Sequence, residues 1–147
     1  MTKQQTIEIL AMLSAFYGKP KADAETMANG WHLILEEFSY ESAKSAVIEF
    51  AKNDTRDYGT FPAPGVIVKI IQERQERYQR RRKTAISNIS YGIGRGKKYD
   101  ELPDDSRRLM TRDRYEYYLN DPMYYINNQA VIEKILMDES KKLLGES

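Results

Sequence analysis

The sequence predicts an all-α fold, and two features of its pattern support this prediction. Apolar residues recur with a period of about 3.6 in several segments, and glycines or prolines interrupt the runs. No segment shows the period-2 alternation of a half-buried strand, since the short apolar run at 66–71 contains Lys69 and continues into polar helix formers. We therefore expect a small N-terminal helical bundle, a basic helix with a glycine-rich hinge, and a helical C-terminal module.

The first part of the chain has clear helix boundaries. An apolar stripe from Ile7 ends at Gly18, and Asp23 and Ser39 are suitable N-caps for a second and a third helix. A turn-rich loop at 53–65 contains prolines that interrupt helix. A fourth helix starts near residue 66 and continues through the arginines that follow. These four helices form the predicted bundle.

Composition limits the chemistry that the protein can perform. The chain has 147 residues, 41% of them hydrophobic and 31% charged, which suits one domain or a small domain with an appendage. The absence of cysteine excludes disulfides, thiolate zinc sites and cysteine nucleophiles, and the single histidine excludes most histidine-based triads. No apolar run reaches the ~18 residues of a membrane span, and residues 1–5 lack an apolar signal core. We expect a protein with no membrane contact, located in the cytoplasm.

Charge divides the chain into three blocks. Residues 1–73 carry 7 basic and 10 acidic side chains, residues 74–98 carry 9 and 1, and residues 99–147 carry 7 and 11. Eight of the 11 tyrosines follow residue 74. We interpret these blocks as an N-terminal bundle (1–73), a basic helix and linker (74–98) and a tyrosine-rich helical module (99–147).

The glycine-rich stretch does not match a nucleotide-binding loop. Against Gly96-Lys97, a phosphate-binding loop would need glycine at Tyr91 and a hydroxyl residue at Lys98. The acidic pairs at 36–37 and 104–105 are adjacent in sequence, so on a helix their side chains diverge by about 100°. His32 is expected at the edge of an amphipathic helix. We expect no catalytic residues, no metal site and no cofactor.

The basic block has two interpretations. Its cations and tyrosines are of the types that bind phosphates and stack on bases. The candidate nucleic-acid-binding residues are Arg77, Arg80, Arg81, Lys97 and Lys98. The alternatives are a solvated helix with a flexible linker, or a positive strip that docks on an acidic protein surface.

The C-terminal module has helix signals but a small core. Pro103 suits a first helical turn, the sequence at 120–122 breaks that helix, and a second one runs from Met123 to about Leu144. Two helices alone bury little, so their apolar stripe is expected to lie against the bundle, another copy or a partner. Tyrosine-rich surfaces are also typical of protein-binding sites.

The first block carries a pattern that identifies a family. Its elements are Trp31-x-x-x-Leu35, Phe38-x-Tyr40-Glu41-x-Ala43, Val47 and Phe61-Pro62-x-Pro64. In this order and spacing they resemble the N-terminal domain of the phage helicase-loader family, which loads and inhibits the phage replicative helicase. The resemblance covers about Lys3 to Glu73, and the family has two adjacent prolines where this chain has one residue between them.

The resemblance implies a bacteriophage DNA-replication adaptor without ATPase activity in the host cytoplasm. Such a protein binds a hexameric DnaB-type replicative helicase, inhibits it and hands it to an origin-bound initiator. The family's C-terminal part folds on the helicase, whereas the helix signals in this chain favour a module that is already folded. The residues expected to face the helicase are Tyr115, Tyr118, Tyr125, Ile132, Ile135 and Leu136. Two alternatives remain open: a DNA-binding regulatory protein acting through the basic block with weak DNA contact, and a pure inhibitor of the host helicase or its loader.

Overall fold

The computed structural model describes residues 1–56 and 59–144, and every regular element in them is helical. The all-α prediction is confirmed for these residues, and residues 145–147 of the predicted C-terminal module lie outside them. The helices are α1 (Lys3–Tyr17), α2 (Ala24–Leu35), α3 (Tyr40–Asn53), α4 (Pro64–Arg95), α5 (Asp104–Leu109), α6 (Arg112–Asn120), α7 (Pro122–Asn127) and α8 (Gln129–Leu143), with a 3-10 turn at Tyr99–Glu101.

The helix starts follow from local capping. Asp23 and Ser39 are N-caps as predicted, each accepting a hydrogen bond from the backbone N–H three residues on, at 3.0 and 3.1 Å. The first helix begins at Lys3, earlier than its apolar stripe, because Thr2 and Gln5 form a capping box. The Thr2 hydroxyl accepts from the Gln5 N–H at 3.1 Å, and the Gln5 side chain accepts from the Thr2 N–H at 2.9 Å.

The chain divides into two compact units, and the first comprises Met1–Arg74. Its core comes from α1, α2, α3 and the first turns of α4. Trp31 is 4% exposed and meets the Phe61 ring edge-on at 6.0 Å. The buried core residues are Ile9, Leu10, Leu13, Ala28, Trp31, Leu35, Phe38, Ala43, Ala46, Val47, Ile67 and Ile71. The apolar pattern that suggested the family is therefore mostly core.

The second unit begins at Gln75 and has a core of its own. One side of the remaining turns of α4 supplies four of its buried residues. The core consists of Ala85, Ile86, Ile89, Ile93, Leu102, Leu109, Met110, Tyr115, Tyr118, Tyr125, Ile132, Leu136 and Leu144. We predicted that the C-terminal helices need a bundle, a copy or a partner to cover their apolar stripe. The structure differs, because α4 covers it.

The structure also differs from the predicted hinge, since the glycine-rich stretch is helical as far as Arg95. Gly92 serves close packing there, because a Cβ atom at this position would lie 2.5 Å from the Tyr115 hydroxyl and 2.9 Å from Leu102 Cδ2. Gly96 follows the helix with φ +68°, a left-handed conformation that glycine adopts without strain. The glycines therefore fix this segment rather than loosen it.

A polar network joins three helices of the second unit. The Ser90 hydroxyl in α4 donates to Glu133 Oε1 in α8 at 2.7 Å and also hydrogen-bonds the Tyr125 hydroxyl of α7. Gln129 Nε2 donates to the same Glu133 oxygen at 3.0 Å. Burial raises the pKa of Tyr125, so this phenol stays protonated at neutral pH.

Candidate interaction surfaces

The six residues predicted to face a partner are mostly inside the second unit. Tyr115, Tyr118, Tyr125, Ile132 and Leu136 are buried, with exposures of 8% or less. Ile135 is 44% exposed and lies on the surface. The apolar stripe read from the sequence is therefore the inner face of the helices, and five of the six residues are not available on the surface of this unit.

The reason is the continuation of α4 behind the basic block. The Tyr115 hydroxyl donates to the Lys97 carbonyl at 2.8 Å, and burial raises the pKa of this tyrosine. Ile86, Ile89 and Ile93 form the wall against which the C-terminal helices pack. Their spacing of three and four residues was a visible helical signal. It was masked by the neighbouring glycines and serines, which suggested a linker.

A different set of apolar side chains is exposed on α6, α7 and α8. We call it the C-terminal apolar surface: Tyr117, Met123, Tyr124, Ile126, Val131 and Ile135, with exposures from 44% to 62%. Tyr117 and Tyr124 meet edge-on with ring centroids 6.1 Å apart. Val131 and Ile135 are one turn apart on α8 and share a face. Concentrations of exposed large apolar residues of this kind mark interaction sites.

The predicted nucleic-acid-binding residues have different environments. Arg81 binds Asp105 through two hydrogen bonds of 2.6 and 2.7 Å and donates to the Leu144 carbonyl at 3.3 Å, so its guanidinium is engaged inside the second unit. Arg77, Arg80, Lys97 and Lys98 are exposed. The hydrogen bonds from Arg81 hold the pKa of the Asp105 carboxyl below its usual range.

The first unit contains an apolar groove of about 670 Å³. One side is a single stripe of α1, and the other is the loop before α2 with the first turns of α2. We call it the N-terminal groove. Its lining is Lys3, Ile7, Leu10, Ala11, Ser14, Lys19, Pro20, Ala22, Ala24, Glu25, Met27 and Ala28. Alanines leave the groove open, and lysines stand at both ends of the α1 stripe.

The most strongly perturbed carboxylate has a structural role. Asp54 accepts hydrogen bonds from Arg56 at 2.8 and 2.9 Å and from the Tyr17 hydroxyl at 2.7 Å. The Arg56 guanidinium, followed by Tyr17, holds the pKa of Asp54 far below its usual range. Its oxygens are occupied by the chain itself, which connects the end of α1 with the loop after α3.

Neither a metal cluster nor a membrane span is found in the part of the chain that the structure describes. Within residues 1–56 and 59–144, no group of three or more acidic or histidine side chains is placed to hold a metal ion. No helix in those two ranges is both long and apolar enough to cross a membrane.

Comparison with known proteins gives a match in the first unit. Residues 1–62 match the family model for the N-terminal domain of phage helicase loader and inhibitor proteins. The N-terminal region is thus similar to that domain. No curated protein and no solved structure matches the chain. The matched residues include α1–α3 and the N-terminal groove, whereas α4 and the C-terminal apolar surface lie outside them.

Proposed function

We propose that this protein is a phage DNA-replication adaptor that binds a hexameric DnaB-type replicative helicase, inhibits it and loads it at the origin. The similarity of residues 1–62 supports the family of helicase loaders and inhibitors. The observation that carries the choice of binding site is the C-terminal apolar surface, which stays exposed although the second unit has a complete core. The protein acts by binding rather than by catalysing a reaction.

Helicase contact is assigned to the outer face of the C-terminal helices. Of the six residues expected from the sequence, Ile135 belongs to this face, and the buried five position it. The exposed tyrosines offer large contact areas at low cost in side-chain entropy, as is common in binding hot spots. Apolar neighbours such as Val131 and Met123 exclude water around them. Binding to the helicase subunits would hold the ring in an inactive arrangement.

The N-terminal groove is assigned to the origin-bound initiator. Its occupant would be an amphipathic helix, because helix-in-groove recognition uses apolar side chains spaced along one face. The lysines at 3 and 19 favour carboxylates at both ends of that helix, against the single Glu25 in the lining. An adaptor with one surface on each unit would hold helicase and initiator at the same time.

The helicase assignment is tested by mixing the purified protein with the replicative helicase and measuring complex mass by size-exclusion chromatography with light scattering. Val131→Asp/Ile135→Asp should abolish the complex. Phe16→Asp/Leu33→Asp is the matched control, since both residues are exposed apolar residues of the first unit, and it should bind normally. Circular dichroism establishes that both variants are folded. A folded Val131→Asp/Ile135→Asp protein that binds like the unmodified chain contradicts the assignment.

The groove assignment has its own test. Ala11→Leu fills the groove from an exposed position on α1, whereas Ala15→Leu adds the same side chain on α1 outside the lining. The first variant should bind the initiator at least tenfold more weakly, and the second should bind normally. Equal binding by both variants would remove the groove from the proposal and leave the helicase surface unaffected.

Loading and inhibition are separated by activity. The adaptor should suppress unwinding by the helicase alone, and origin DNA carrying the initiator should relieve the suppression. Suppression that the initiator does not relieve would identify a pure inhibitor of the helicase.

A further inference from the structure

We propose that the outward side of α4 is a binding site for single-stranded nucleic acid, in addition to the protein-binding role above. Charge is the first argument. From Arg77 to Lys98 the chain carries eight Lys and Arg residues and no Asp or Glu. Clustered cations of this kind bind phosphates by releasing condensed counterions. In the second unit this segment is folded as helix up to Arg95, so its cations have fixed spacings.

Helix geometry places the exposed residues of this segment on one side. Positions separated by three or four residues share a face of an α-helix. The face, which we call the basic face, consists of Arg77, Arg80, Thr84, Ser87, Tyr91 and Arg95, all exposed. The opposite side carries the buried Ile89 and Ile93. Because the core occupies one side alone, the basic face is available along its whole length, about 27 Å at the helical rise.

The far end of the basic face combines cations with an aromatic ring. Tyr91 is 53% exposed. The Arg95 guanidinium and the Lys97 ammonium lie 5.3 and 5.1 Å from the centre of its ring. An exposed ring between two cations provides a stacking surface for a base next to partners for the adjoining phosphates. An acidic protein would use the cations but would gain little from the ring, so the geometry favours nucleic acid with unpaired bases.

The structure also selects among the arginines of this segment. Arg81 is held by Asp105, and Arg82 is buried. Arg77 and Arg80 extend from the basic face, and Lys83 is exposed beside it. The site therefore differs from a simple count of charges, since two of the four consecutive cations at 80–83 are not available.

The test is a titration of the full chain against a fluorescein-labelled oligo(dT) of about 20 nucleotides, followed by fluorescence anisotropy at several salt concentrations. With about five phosphates neutralised, the slope of log K against log salt should be about −3.5. Duplex DNA of the same length should bind more weakly. Since no helicase is present, failure here would leave the proposed helicase adaptor role untouched.

Matched variants locate the site. Arg77→Gln/Arg80→Gln should reduce the salt slope by about 1.4, because two phosphate contacts are lost. Lys141→Gln/Lys142→Gln makes the same change in net charge at exposed positions of α8 and should leave the slope unchanged. Tyr91→Ala should weaken oligo(dT) binding roughly tenfold, whereas Tyr117→Ala, another exposed tyrosine, should not.

Three outcomes would overturn the proposal. The first is no binding of oligo(dT) at low salt. The second is an equal loss in the Arg77/Arg80 and Lys141/Lys142 variants, which would indicate a diffuse charge effect. The third is equal affinity for poly-glutamate and oligo(dT), together with normal binding by Tyr91→Ala, which would identify the basic face as a docking strip for an acidic protein.

Discussion

Gly92 is the residue where the second unit leaves least room for a side chain. The Tyr115 hydroxyl lies under it, 2.5 Å from where a Cβ atom would stand. Gly92→Ala should destabilise this unit by about 1–3 kcal/mol, as overpacked core positions do. Gly94→Ala is the control, since nothing lies within 4 Å of its Cβ position, and it should be neutral or stabilising by up to about 1 kcal/mol. Urea unfolding followed by circular dichroism measures both; equal stability of the two variants would contradict this account of Gly92.

The pairing of Arg81 with Asp105 predicts a pH dependence. The pKa of Asp105 is lowered in the folded protein by its hydrogen bonds with Arg81, so the pair contributes stability above the unfolded pKa of about 3.9 and loses it as pH falls. Arg81→Gln should lower the urea midpoint of the second unit at pH 7. Its difference from the unmodified protein should shrink below about pH 4, when Asp105 becomes protonated. Arg77→Gln, at an exposed position, should show no such convergence.

Residues governed by neighbours in the sequence were predictable. Asp23 and Ser39 were recognised as caps because capping depends on the next three residues alone. The burial of Tyr115 and Leu136 was not, because periodicity identifies an apolar face without saying what covers it. Ile135 differs from Leu136 by one position and is exposed. Assigning either one to a core or to an interface requires the position of α4.

At the scale of elements, α4 performs two tasks on opposite sides. Ile89 is fully buried, so Ile89→Ala should destabilise the second unit by about 2–5 kcal/mol. Thr84→Ala, on the basic face, should change stability by less than about 0.5 kcal/mol. Thermal unfolding of the two variants tests this division. Comparable losses would show that the basic face is also packed.

The length of α4 was the main element that sequence reasoning missed. Serines and glycines at 87–96 have low helix propensity, and this composition favours a linker. Burial of Ile89 and Ile93 supplies the stabilisation that propensity lacks, so tertiary packing determines the outcome. The predicted starts of the second and third helices needed no such contribution.

At the scale of the whole molecule, two separate cores predict separable unfolding. Trp31, the one tryptophan of the chain, is buried in the first unit, while most tyrosines belong to the second. In Ile89→Ala, the near-ultraviolet circular dichroism of tyrosine should be lost at lower urea concentration. The fluorescence transition of Trp31 should stay within experimental error of the unmodified protein. A parallel shift of both signals would show that the units unfold as one.

The network of Ser90, Tyr125 and Glu133 has a consequence for alignment. Aliphatic side chains such as Ile132 and Leu136 would tolerate α8 sliding by one turn against α4, because contacts between methyl groups have little direction. A slide would take the Glu133 carboxylate from Ser90 and leave half-buried oxygens without donors, which is costly in a low-dielectric interior. The three polar side chains therefore act as a key that admits one register of the C-terminal helices, and with it one arrangement of the residues they display.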